Sequence, residues 1–328
     1  MKKLLVVSFA LLLGVAVTCT TSCKKADSTT ADDTPTQSQT ASDDARVNSE
    51  LENVSNEANT AISSHPNTAG AKVEGVVGVT TLPTDVKISR DSINGTVTLT
   101  YVDSIGLYGL YRRSGSIVIA LQGYLANGKG KHWVDAGATI YVTLNNYKVT
   151  RIWDGKSIVF NGTKSITNKT GGFIWKLTSG QSLEHDIRAN GLTITFDDGT
   201  QRTWSLHQNR TWTNITANNT ANFQVSQGSD TTVAGYSNVS YWGTTRANNP
   251  FYVQLTSPLT VNSTCGWYRP TSGVRVINGL AHVVTETFGV DIAGNPVPYT
   301  IGGNCGAYGF KISWTNAAGQ AKSKVIAY

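Results

Sequence analysis

Apolar and polar positions change their rhythm three times along this chain. Residues 4–17 form a nearly continuous apolar run behind Lys2 and Lys3, followed by small residues up to Cys23. This is the pattern of a signal peptide, expected over 1–22, and it falls short of the roughly 20 apolar residues that a membrane-crossing helix needs. From Lys24 to about Thr40 the chain is Thr, Ser, Asp, Gln and Ala with almost nothing apolar. So little buried surface cannot offset the entropy of ordering, and residues 23–41 are expected to form a disordered tether. Val47, Leu51, Val54, Ala58 and Ile62 then mark one stripe of a helix. The pattern predicts an amphipathic helix over 42–65, capped by Ser42, with Asp43 and Asp44 at its positive end and His65-Pro66 as its stop. A stripe this narrow should dock on the rest of the protein or pair with another copy.

After about Ala71 the period falls to two. Val97, Leu99 and Tyr101; Ile117, Ile119 and Leu121; Ile140, Val142 and Leu144; Leu192, Ile194 and Phe196; and Phe310, Ile312 and Trp314 all alternate with polar neighbours, as half-buried strands do. Between these runs stand Asn94-Gly95, Asn127-Gly128, Asp154-Gly155, Asn161-Gly162, Asn190-Gly191, Asp198-Gly199 and Asn278-Gly279, dipeptides that accept positive φ in tight hairpin turns. The fold class is therefore all-β: a large antiparallel, hairpin-connected sheet over 71–328, either a sandwich, a half-barrel or a curved meander. The Asn/Thr-rich stretch at 214–222 marks a possible division into sub-units 71–217 and 218–328.

The cysteines bear on the compartment. Ser22 before Cys23 suits the narrow pocket of the signal peptidase that processes lipoproteins better than Thr18 before Cys19, so Cys23 is the expected lipidation site. A diacylglycerol and an N-acyl chain together would anchor it stably, where a single chain is marginal. Cys19 would leave with the signal peptide. Cys265 and Cys305 would then form a disulfide in an oxidising compartment, for forty positions separate them and no other Cys or clustered His joins them as a metal set.

Charge is divided along the chain. Residues 24–64 carry a net charge of −5 and residues 65–328 a net charge of +9. A basic body suits anionic glycans or lipids, although scattered basic residues also serve solubility, and nucleic acid is not an expected partner.

The standard catalytic arrangements fail on spacing. In Glu184-His185-Asp186, a strand would send the carboxylates to one face and the imidazole to the other. Residues 123–129 imitate a phosphate-binding loop, but Gly130 stands where Ser or Thr is required, and the segment reads as a hairpin. His65, His132, His185, His207 and His282 lack zinc-ligand spacing. Asp197-Asp198-Gly199 fits a turn at least as well as a weak calcium site. A carboxylate pair for glycoside hydrolysis would have to converge from distant strands, with only Glu74, Glu184 and Glu286 as glutamates in the body. No catalytic residue, metal or cofactor is expected. Aromatic residues are the one binding feature: among eight Trp, those next to turn-like segments, Trp133, Trp153 and Trp242, are the candidate exposed ligand-binding rings.

Several short segments occur in a shared order: Ser22-Cys23-Lys24-Lys25, the acidic helix, Arg113-Ser114-Gly115-Ser116, Asn146-Tyr147-Lys148-Val149, Asp198-Gly199-Thr200 with Trp204, Arg210-Thr211-Trp212, Ser257-Pro258-Leu259, Cys265-Gly266-Trp267 and Gly303-Asn304-Cys305. On these the chain resembles a family of uncharacterised Bacteroidota outer-membrane lipoproteins with an acidic N-terminal helix and a long β-rich body. The resemblance implies location and architecture, but no activity. Asp27-Ser28-Thr29, Asp91-Ser92-Ile93, Asp103-Ser104-Ile105 and Asp230-Thr231-Thr232 resemble the short O-glycosylation sequon of exported proteins in that group. The expected function is a membrane-anchored envelope lipoprotein with a non-enzymatic surface, adhesion or scaffold role, facing the periplasm or the exterior. Its partners would be the membrane through the anchor and a glycan, lipid or envelope protein. The alternative is a glycan- or lipid-binding module.

Overall fold

The computed structural model describes residues 34–328 apart from 65, 70–85, 106–108, 128, 216–222, 267–268 and 301–304. The expected signal peptide, Cys23 and Glu74 lie outside the described residues. Residues 33–328 form one compact unit.

The period-two segments pair as β1 (Val86–Asp91), β2 (Thr96–Ile105), β3 (Tyr111–Leu121), β4 (Ala138–Arg151), β5 (Ser157–Asn168), β6 (Ser182–Phe196), β7 (Gln201–Asn214), β8 (Phe223–Gly228), β9 (Val239–Thr244), β10 (Pro250–Asn262), β11 (Pro270–Asn278), β12 (Val284–Val290), β13 (Gly309–Thr315) and β14 (Ala321–Ala327). They form a single 14-stranded antiparallel sheet in which nearly every strand lies beside its sequence neighbour. β8 and β9 share one place, end to end, between β7 and β10. On either side of the stretch at 214–222 the strands belong to one sheet, and Asn214 of β7 pairs with Phe223 of β8.

All five runs of alternating apolar residues are buried on one face. What they bury against is the helix α1 (Thr34–Ser63), which carries the short α2 (Pro66–Ala69) after it. Val47, Leu51, Val54, Ala58 and Ile62 are all buried, as predicted. Yet Asp44, Asn48, Glu52, Ser55, Asn56 and Asn59, which fall outside that stripe, are buried too. The sheet curls around the helix, so α1 has no solvated face over most of its length.

The helix also begins at Thr34, well before Ser42, which lies inside it. Residues 34–41, expected as tether, are helical because Gln37, Ser38 and Ala41 are covered. Tertiary burial, more than intrinsic propensity, sets where a helix starts.

Two of the seven turn dipeptides are not turns. Asn161-Gly162 and Asn190-Gly191 lie inside β5 and β6, where the register slips between Asn161 and Lys164 and between Ala189 and Leu192. Matching slips occur at Ser114–Ser116 of β3 and Leu144–Tyr147 of β4. These β-bulges run in a line from strand to strand, and a line of bulges bends a sheet. At Gly115 (φ 88°) a Cβ would stand 2.2 Å from the carbonyl oxygen of Asn146, so only glycine lets β3 and β4 close at the bend.

Cys265 and Cys305 form the expected disulfide, with Cα atoms 5.4 Å apart. In the chain-entropy description a loop of this size contributes roughly 3–4 kcal/mol.

Candidate ligand-binding surfaces

Curling a sheet around a helix leaves three places for a ligand: the interior, the ends and the outer face. The interior is occupied by charge pairs between the acidic helix and a basic inner wall. Asp44 meets Arg202 of β7 at 2.7 Å, Glu52 meets Arg210 of the same strand, and Glu57 binds Arg113 of β3 and the Tyr101 hydroxyl of β2. Lys164 of β5 donates to the Leu51 carbonyl (2.5 Å) and to Ser55 (2.7 Å), and Arg246 grips Asp43 with two bonds of 2.7 Å. The basic wall thus offsets the helix's own acids. Much of the +9 that suggested an anionic partner is spent internally.

Burying these ions is made more tolerable because the guanidinium groups of Arg202, Arg210 and Arg246 also lie over aromatic faces. Arg202 stands 4.6 Å from the ring centre of Phe251 and 5.2 Å from Trp204, and Arg210 stands 5.7 Å from Trp212. Arg275 pairs with Glu286 at 2.8 Å and lies 4.5 Å over Phe288. Weakly hydrated, planar guanidinium suits such sites better than ammonium. Desolvation still dominates: it raises the Asp44 carboxyl above its ordinary range despite Arg202 and Arg275, and pushes Lys164 down to about 7. Glu286 is therefore a buried structural partner, and Glu184 is exposed on β6.

Of the three candidate rings, Trp133 is not exposed. It is 1% accessible and donates its indole N–H to Asn59 of the helix at 2.9 Å. Its loop folds back over the helix end, where Asn168 holds the Trp133 carbonyl at 3.0 Å. The segment 123–129 belongs to this long β3–β4 connection, which is more than a tight hairpin. Trp153 is 74% exposed in the β4–β5 turn, under the Arg151 guanidinium at 4.7 Å. Trp242, half-buried on β9, lines an outer groove of about 440 Å³.

That groove lies over adjacent strands. Tyr141 of β4 pairs with Ser165 of β5, Ser165 with Arg188 of β6, and Arg188 with His207 of β7. Trp242 stands one strand further, opposite Ser205. At ~4.8 Å per step the row from Tyr141 to Trp242 is about 19 Å long. Asp186 fixes its polar centre, accepting from Arg188 at 2.7 Å and bonding His207 at 2.8 Å, while the other imidazole nitrogen contacts the Thr231 hydroxyl. These bonds hold the Asp186 carboxyl below its ordinary range, against burial, the largest single effect. His185, as alternation requires, points the other way into the core, between Trp133 and Trp212.

Sequence reasoning missed this cluster because its members come from different strands. The turn Asp198-Gly199 was a usable signal for the β6–β7 hairpin. Counting outward from it without the bulge at Asn190-Gly191, however, places His207 one position out of register. Thr231, within one of the sequon-like triplets, is engaged here, whereas Ser92 stands in an exposed turn that Asp91 caps. Among the described residues no three His, Cys, Asp or Glu side chains converge as a metal set.

A second cavity, about 460 Å³, opens where the helix enters the sheet and is lined by Asp43, Arg46, Glu50, Arg151, Asp198 and Arg246. Arg46 donates to the carbonyls of Val149 (3.4 Å) and Lys156 (3.1 Å), tying the helix to the β4–β5 turn. No family model matches the chain, and comparison with curated proteins and with solved structures gave no similar protein.

Proposed function

We propose that this protein is a membrane-anchored envelope lipoprotein with a non-enzymatic scaffold or adhesion role, tethered through Cys23. The observation that carries the reading is the filled interior. A helix buried over most of its length occupies the concave side of the sheet, so contacts with partners fall to the outer surface and the ends. The outward residues of β4 and β7, Thr139, Thr143, Lys148, Thr203, Asn209 and Thr211 among them, are polar, unlike the apolar band of a lipid-spanning barrel. The N-terminal pattern of basic, apolar and small residues before Cys23 supports the anchor, and the resemblance to Bacteroidota outer-membrane lipoproteins is consistent with it. Incubation of the purified protein with ester, glycoside and phosphoester substrates should give no turnover; turnover on any of them would overturn the non-enzymatic reading.

The outer groove favours a second reading, glycan binding. An aromatic ring at each end, with Arg188, His207 and Asn190 between, offers stacking faces and fixed hydrogen-bonding groups to a sugar chain. Trp242→Ala should abolish binding on a glycan array while leaving the unfolding midpoint in place. A glycan signal that survives both Trp242→Ala and Arg188→Ala would place binding elsewhere.

A further inference from the structure

We infer that the end of the sheet at which α1 enters rests on the headgroup layer of a phospholipid membrane, through Leu110, Ile152 and Trp153. The inference depends on the Cys23 anchor proposed above. Three observations converge on this end. Thr34, the first helical residue, stands eleven positions after Cys23, so even fully extended chain holds the anchor within roughly 40 Å of the helix start. The Arg46 contacts to Val149 and Lys156 place the β4–β5 turn beside the helix's N-terminal half, whereas Trp133 bonds Asn59 near the helix's C-terminal end.

At this same end several large apolar side chains are left in solvent, Leu110, Ile152 and Trp153 among them. Leu110 is 50%, Ile152 43% and Trp153 74% exposed. Leu110 and the β4–β5 turn are held side by side, for the Ile152 amide donates to the Leu110 carbonyl at 3.0 Å. Exposed cations, Lys148 and Lys156, flank them, and Arg151 covers one face of the indole.

An indole beside aliphatic side chains and lysines suits the membrane interface on three counts. Trp partitions to the headgroup level, aliphatic groups insert shallowly, and each cation near an anionic surface is favourable. No single one of these side chains would bind a membrane stably. Tethering changes that, because an anchor within reach turns weak docking into an intramolecular event. Docked this way, the body would present its opposite end and its outer groove away from the lipid.

The test uses the full lipidated chain in phospholipid vesicles, with acylation of Cys23 verified by mass. Emission is compared in plain vesicles and in vesicles carrying brominated acyl chains, for the wild type and for Trp153→Phe. Docking predicts that the Trp153-dependent emission falls roughly two-fold with brominated lipid and that the fall disappears in Trp153→Phe. Acylated, vesicle-bound protein whose emission ignores bromination would overturn the docking while leaving the anchor intact. A chain that carries no acyl group on Cys23 would overturn the anchor, and the docking with it.

Discussion

At the residue scale, the unusual feature is a set of charges fully removed from water and paired between helix and sheet. Removing one partner of such a pair strands the other. Arg202→Met alone should therefore destabilise the protein by about 3–5 kcal/mol in urea unfolding, whereas Arg202→Met combined with Asp44→Leu should recover most of the loss. A double variant as unstable as the single one would mean that the pair is not the reason for the cost. His185 gives a pH signature. Burial alone pushes its pKa down to about 3. In the unfolded chain it titrates near 6.5, so between these values the unfolded state binds the extra proton. Its contribution to stability is thus present above about pH 6.5 and is lost as the pH falls toward 3, on the order of 5 kcal/mol over the whole range. His185→Phe should flatten that part of the stability profile measured by denaturant titration at successive pH values; an unchanged slope would contradict a buried neutral imidazole. None of these pairings was legible beforehand. The sequence displays Asp44 and Arg202 as ordinary polar residues, and only the curl of the sheet brings them together.

At the scale of elements, alternation was the dependable signal. Where one face is buried, period two specifies which residues point inward, and the runs in β2, β3, β4, β6 and β13 all do so. Asn-Gly dipeptides were less decisive, because the positive φ that they permit serves a bulge as readily as a turn. Asn94-Gly95 joins β1 to β2, while Asn190-Gly191 kinks β6 and moves its outward positions from Asp186 and Arg188 to Thr193 and Thr195. The cost of the bend should be measurable. Gly137→Ala, where a Cβ meets open space, should cost only the left-handed backbone, about 1–2 kcal/mol. Gly115→Ala should cost clearly more in thermal unfolding, since β3 and β4 must also separate; equal losses would argue that the strands are not closed at the bend. The disulfide belongs to this scale as well. Replacing Cys265 and Cys305 together by Ser should lower stability by about 2–4 kcal/mol, and this is checked by comparing oxidised and variant proteins in urea.

At the scale of the whole molecule, the split of charge into an acidic N-terminal stretch and a basic remainder was visible in the sequence from the start. Its meaning was not, because a net charge does not say whether its complement is a partner or another part of the same chain. Here the complement is internal to a large extent, and the helix expected to lie against the body is its filling. The apolar stripe was correctly placed but was only one side of an element that is buried over most of its length. The central claim is that α1 is an integral part of the core. Amide hydrogen exchange of the native full chain tests it most directly. The account predicts that amides from Val47 to Ile62 exchange as slowly as those of β4 and β7, through global unfolding alone. Exchange of the helix amides at the rate of unstructured chain, while the sheet stays protected, would contradict it.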